Sequence, residues 1–77
     1  MKEFTRNELL KYNGKEGVPA YIAYRGVVYD VTNSFLWKNG YHQVLHYAGT
    51  DLTEELDHAP HGPDLLKRIP SIGTLID

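Results

Sequence analysis

A chain of 77 residues without a single cysteine has few ways to be stable. A domain this short buries only roughly 60% of the surface its unfolded chain exposes, so its core is marginal. Small domains often make up the shortfall with disulfides or thiolate-bound metal, and both are closed to this one. Some other source of stabilisation is therefore expected. One folding unit over residues 1–77 is all the length allows, and no repeat, low-complexity run or Pro- or Gly-rich linker divides it.

The charge balance narrows the function classes. Eight Lys and Arg against ten Asp and Glu leave a net charge of −2, and the basic residues are scattered, which argues against a nucleic-acid surface. No apolar run approaches membrane-spanning length. Residues 1–10 carry Lys2, Glu3, Arg6 and Glu8 where a signal peptide would be apolar, so a cytoplasmic protein is expected; a monomer is expected as well. With 42% hydrophobic residues the chain is not a disordered tail. Its compositional excess lies in six Tyr and four His.

Local signals predict an α+β chain. Thr5-Arg6-Asn7-Glu8 has the form of a capping box, opening a short helix over residues 6–11 that ends near Asn13-Gly14. Tyr21, Ile22, Tyr24, Val27, Val28, Tyr29 and Val31 are β-formers grouped around Arg25-Gly26, which predicts a hairpin turning near Gly26. Short helices follow over 42–47, 51–58 and 63–69, the second opened by Asp51 with Glu54, the third by Gly62-Pro63. A last strand is predicted over 73–76. Helices this short are marginal alone, and the second half of the chain has little sheet to support them. It reads as built around something that is not protein.

The histidines suggest what that is. All four fall between His42 and His61, as His42-x-x-x-His46 and His58-x-x-His61. A neutral imidazole offers a lone pair to a metal at little protonation cost. In a zinc reading, His42 and His46, one helical turn apart, share an ion with His58 or His61 and a carboxylate such as Asp57. In a haem reading, one histidine from each pair approaches iron from opposite sides of a porphyrin. The haem reading also accounts for the apolar surface committed to such short helices.

Taken in order, Val28-Tyr29-Asp30-Val31-Thr32, Phe35-Leu36, Ala48-Gly49-Thr50-Asp51-Leu52-Thr53, Pro60-His61-Gly62 and Ile72-Gly73-Thr74-Leu75 resemble the cytochrome b5-like haem/steroid-binding family, and within it the short prokaryotic members. The resemblance spans essentially the whole chain. It implies a small β-sheet with short helices forming a haem slot and a non-covalent haem b. His61 follows Ala48 at the spacing of the family's second axial histidine, which makes it the firmer iron ligand. The family's His-Pro-Gly-Gly stretch is absent and the segment between Phe35 and Ala48 is shorter, so position makes His42 the first ligand. His46 is its rival and otherwise a pocket or propionate contact, with Tyr41 and Tyr47 as minor alternatives; His58 is structural at most. The pocket is expected to be lined by Tyr29, Val31, Phe35, Leu36, Leu45, His46, Leu52, Leu65 and Leu66.

No cysteine is present for covalent haem attachment, and Met1 is the only methionine, so a bis-histidine iron and a one-electron carrier without enzymatic activity are expected. The alternative is a haem- or sterol-binding module in which haem is five-coordinate or labile. Asp51, Glu54, Glu55, Asp57 and Asp64 could form an acidic face that steers a basic redox partner. A haem-free chain is expected to lose order over 39–69 while the hairpin persists.

Overall fold

The computed structural model describes residues 2–33, 41–42, 46–58 and 63–76, with the backbone alone at 41–42, 46–47, 63 and 65. The elements run in the order β1 (Lys2–Phe4), α1 (Arg6–Leu10), β2 (Tyr21–Tyr24), β3 (Val27–Asp30), β4 (Tyr41–His42), β5 (His46–Tyr47), α2 (Thr53–His58), a 3-10 helix (Pro63–Leu66) and β6 (Ser71–Leu75). The chain is α+β, as its local signals predict.

The capping box forms as the sequence requires. Glu8 N–H donates to Thr5 Oγ1 at 3.1 Å, and Thr5 N–H donates to Glu8 Oε1 at 2.9 Å. The backbone bond foremost, then the side-chain bond, holds the Glu8 carboxyl below its ordinary value. The hairpin turns through Arg25 at φ 49° and Gly26 at φ 79°, the pair of left-handed residues that a two-residue type I′ turn needs. Ile22 therefore pairs with Tyr29 and Ala23 with Val28.

The four-stranded sheet has the order β1-β6-β3-β2, with β6 parallel to β1 and antiparallel to β3. Strand alternation divides the hydrophobic residues between its two faces. On one face Phe4, Leu9, Ala23 and Val28 pack with Tyr12, Tyr21, Ile72 and Leu75. Tyr12 stacks on Tyr21 with centroids 4.5 Å apart, and Phe4 meets both rings edge-on. On the other face Ala20, Ile22, Val31, Ala48, Leu52, Leu56 and Leu66 pack with Tyr24, Tyr29 and Ile69. The first core holds α1 against the sheet, and the second carries the candidate site.

Several sequence expectations need correction. The helix expected over 42–47 is replaced at its described ends by strand: Tyr41 pairs with Tyr47 and His42 with His46 in a separate antiparallel ribbon, β4–β5, while 43–45 lie outside the described residues. Tyr, His and Val are weak helix formers, no cap opens this segment, and so short a helix cannot nucleate by itself. Strand β1 has no counterpart in the local reading, because three residues carry no periodicity. The last strand begins at Ser71, two-sided pairing with Tyr29 of β3 and Lys2–Phe4 of β1 deciding its span. Helix α2 starts at Thr53, since Asp51 is held in a parallel bridge to Ala23. The segment after Gly62 is a 3-10 helix ending at Leu66; turn bonds from Lys67 N–H to Asp64 O and from Ile69 N–H to Leu66 O carry the chain on to Pro70.

Candidate functional site

The candidate site is built where residues 48–52 dock along the edge of β2. Gly49 N–H donates to Tyr21 O at 2.6 Å, Ala23 N–H to Thr50 O at 3.0 Å, and Leu52 N–H to Ala23 O at 2.8 Å. Gly49 has φ 91°, and a Cβ there would stand 3.4 Å from the carbonyl oxygens of Leu9 and Leu10. Glycine thus supplies both the left-handed turn and the close approach to α1. Its neighbour Ala48 is buried in the second core. The second half of the chain therefore does have sheet to lean on, contrary to the sequence expectation: these backbone bonds seat it on β2.

From this edge the chain enters α2. Asp51 Oδ1 accepts from Thr53 N–H at 3.0 Å and from Thr53 Oγ1 at 2.6 Å, while Asp51 Oδ2 lies 3.4 Å from the Arg6 guanidinium. Leu52 and Leu56 then point into the core, Leu56 with no exposed surface. At the far end of α2, His58 Nδ1 donates to Glu54 O at 2.8 Å, tying that imidazole to its own helix.

A second set of contacts joins α2 to the hairpin turn. Tyr24 OH donates to Asp57 Oδ1 at 2.5 Å, and Arg25 donates from its Nε to Tyr24 OH at 3.1 Å and from its terminal nitrogen to Asp57 Oδ2 at 3.0 Å. The Tyr24 bond first, then Arg25, holds the Asp57 carboxyl below its ordinary range; reciprocally Asp57 raises the Tyr24 hydroxyl. Both Asp57 oxygens, of the carboxylate offered as an example in the zinc reading, are thereby engaged by protein partners. Among the described residues no three His, Cys, Asp or Glu side chains converge on a metal site.

Of the residues assigned to a pocket from sequence, Tyr29, Val31, Leu52 and Leu66 come together in one cluster. Leu65 lies in the 3-10 helix beside Leu66. His42 and His46 stand opposite one another by strand register, not one helical turn apart. Phe35, Leu36, Leu45 and His61 lie outside the described residues. Ile22 and Ala20 belong to the same cluster and were not assigned to the pocket; the alternation of β2 is the signal that places Ile22 there. The Tyr24–Arg25–Asp57 contacts left no signal, because they join residues more than 30 positions apart.

Comparison with known proteins gives this arrangement a family. Residues 5–76 match the family model described as the cytochrome b5-like heme/steroid binding domain. The chain belongs to that family. A solved cytochrome b5 domain protein from Hadesarchaea YNP_N21 is 59% identical over 99% of this chain and 100% of its own, with a TM-score of 0.92. A cytochrome b5 domain protein from Methanococcoides burtonii is 54% identical over 99% of both chains, with a TM-score of 0.93. A hypothetical protein from Arabidopsis thaliana, described as having a cytochrome b5 like fold, is 21% identical with a TM-score of 0.75 over 100% of this chain and 93% of its own, which bears on fold alone. Among curated proteins none matches. Among the described residues no helix is long and apolar enough to cross a membrane.

Proposed function

We propose that the chain is a cytoplasmic, monomeric b-type cytochrome, a single domain over residues 1–77 that binds haem b non-covalently and carries one electron without catalysing a reaction. The observation that carries this reading is the gathering of Tyr29, Val31, Leu52 and Leu66, from β3 and its exit, α2's entry and the 3-10 helix, into one apolar cluster. Side chains of that character suit a flat, apolar macrocycle. The donor set suits its iron: His42 and His61 would hold it through imidazole nitrogens, with His46, the register partner of His42, as wall or propionate contact. Bound haem b supplies reversible exchange between ferric and ferrous iron. The leucines and Val31 would keep water from the bound group, and the two histidines would favour electron exchange over binding of a further ligand.

A basic redox partner would meet Glu54 and Glu55, both exposed on α2. Asp51, Asp57 and Asp64 contribute less to such a face, since they pair with Arg6, Arg25 and Lys67. Steering by the remaining acids favours fast, weak encounter.

The family description also covers steroids, which favours one second reading: a haem- or sterol-binding module with labile or five-coordinate haem. Absorbance separates the two. The haem-reconstituted protein is expected to show a sharp Soret band and split α/β bands on reduction. His61→Ala and His42→Ala should each abolish that low-spin spectrum, while His46→Ala should leave it largely intact. A high-spin spectrum in the wild type favours the second reading, a larger loss in His46→Ala reverses the choice of first ligand, and a colourless protein with stoichiometric zinc overturns both haem readings.

A further inference from the structure

We propose that Tyr24, Arg25 and Asp57 form a clasp that fixes α2 against the hairpin before any ligand binds, making them positioning residues for one wall of the slot. Helix α2 has six residues, too few to hold a helix in water. Its start is secured by the bonds of Thr50 and Leu52 to Ala23 and by Asp51 on Thr53. Its last turn has one link to the sheet among the described hydrogen bonds: Asp57, gripped on one oxygen by Tyr24 and on the other by Arg25. Arg25 N–H also donates to Thr53 Oγ1 at 2.8 Å, so the turn holds the helix at both ends.

The backbone at Arg25 argues that this side chain has a task. Position φ 49° in a type I′ turn favours Gly, Asn or Asp, and arginine is disfavoured there by its Cβ. The guanidinium that results spans Tyr24 and Asp57 in a forked geometry that a lysine could not reproduce. Leu56 is carried on the clasped helix and Leu52 leads into it, and Asp57 precedes the candidate ligand His61 by four positions. Fixing Asp57 therefore fixes the wall and the point from which the chain leaves for His61. On this account α2 belongs to the part of the molecule that protein contacts hold, and the region dependent on haem is narrower than residues 39–69.

The test is amide exchange on the whole chain, with and without haem, together with the rate at which haem passes to an acceptor protein. In the haem-free wild type the Leu56 amide, bonded to Leu52 O at 2.9 Å, is expected to be protected. Arg25→Gly suits the turn and removes the fork, and Asp57→Asn removes the charge. Each should speed exchange at Leu56 by at least about threefold and haem loss by a similar factor, while the Val28 and Tyr29 amides stay as in the wild type. Arg25→Lys should recover less than half of the loss. Wild-type exchange at Leu56 in both variants, with haem taken up normally, overturns the clasp alone. The role at a haem wall rests on the cytochrome reading; a wild type that takes up no haem overturns that reading, while Leu56 exchange still decides the clasp.

Discussion

Replacing Gly73 by alanine tests whether the Ile72-Gly73-Thr74-Leu75 stretch serves the fold or the ligand. Gly73 lies in β6, paired with Lys2 of β1 on one side and Val28 of β3 on the other. A Cβ built there falls on the Lys2 carbonyl oxygen, with the Lys2 carbonyl carbon at 3.1 Å and Phe4 Cε2 at 3.0 Å. The phenyl edge can give way, but the carbonyl is backbone and can move only with the strand. Either β1 shifts, at the usual overpacking cost of about 1–3 kcal/mol, or it peels away and exposes Phe4, now 1% accessible, at about 1.5–3 kcal/mol for the lost burial. Both routes converge on roughly 2–3 kcal/mol, out of the roughly 4–12 kcal/mol expected for a chain this long. At about 4–8 °C per kcal/mol for a domain of this size, Tm should fall by roughly 10–20 °C. Thermal unfolding followed by far-UV circular dichroism measures the shift, with Gly26→Ala as control. At Gly26 a Cβ meets nothing within 4 Å, so alanine there costs only its φ of 79°, about 1–2 kcal/mol. On the cytochrome reading proposed above, the haem spectrum of Gly73→Ala at low temperature should match the wild type, because the substitution lies in the opposite core. A Tm within about 2 °C of the wild type would refute the crowding argument, and an altered low-spin spectrum would refute the separation of the two cores.

Leu56→Ala should cost about 2–5 kcal/mol, the range for emptying a fully buried leucine site, read as a lower urea midpoint with an unchanged m-value. The clasp also predicts two limbs in the pH dependence of stability. Asp57 is held below its ordinary 3.8, so its contribution is present above that value and is lost as pH falls through the lowered one. Tyr24 is held above its ordinary 10.0, so its contribution is present below pH 10.0 and is lost as pH rises through the raised value. Asp57→Asn should shrink the acid limb, leaving the share of Glu8, whose carboxyl is also held low, and Tyr24→Phe should shrink the alkaline one, leaving the share of Tyr21, whose hydroxyl burial raises; the groups facing the clasp pair are Arg25 from the turn and His58 from α2. Limbs that persist unchanged in the two variants would assign the titration to other groups.

Much of the architecture is legible in the sequence because it is dictated locally. Thr5 and Glu8 are three residues apart and cap the same turn, so the box can be read without knowing anything distant. Arg25-Gly26 and the alternating β-formers around it define both the hairpin and which of its residues face which side. The ordered motifs of the family are equally a property of the string, and they led to the same family as the match over residues 5–76. The four-residue spacing of His42 and His46 is ambiguous: it fits one helical turn as well as it fits two strands folded back on each other, and the register pairs them across strands.

Tertiary structure decided what depends on residues distant in the chain. Three residues, Lys2–Phe4, become a strand only because β6 arrives beside them, and Gly73 is required only because the Lys2 carbonyl lies where its side chain would be. Two cores form in place of one because the sheet has two faces, and only pairing shows that Tyr12 and Tyr21 belong to the one away from the slot. Asp57 reads as one acid among several on a helix surface until the fold brings Tyr24 and Arg25 to its two oxygens. A capping box or a turn is satisfied by neighbours whose separation the covalent chain already sets, whereas a clasp across two elements exists only once packing has placed both.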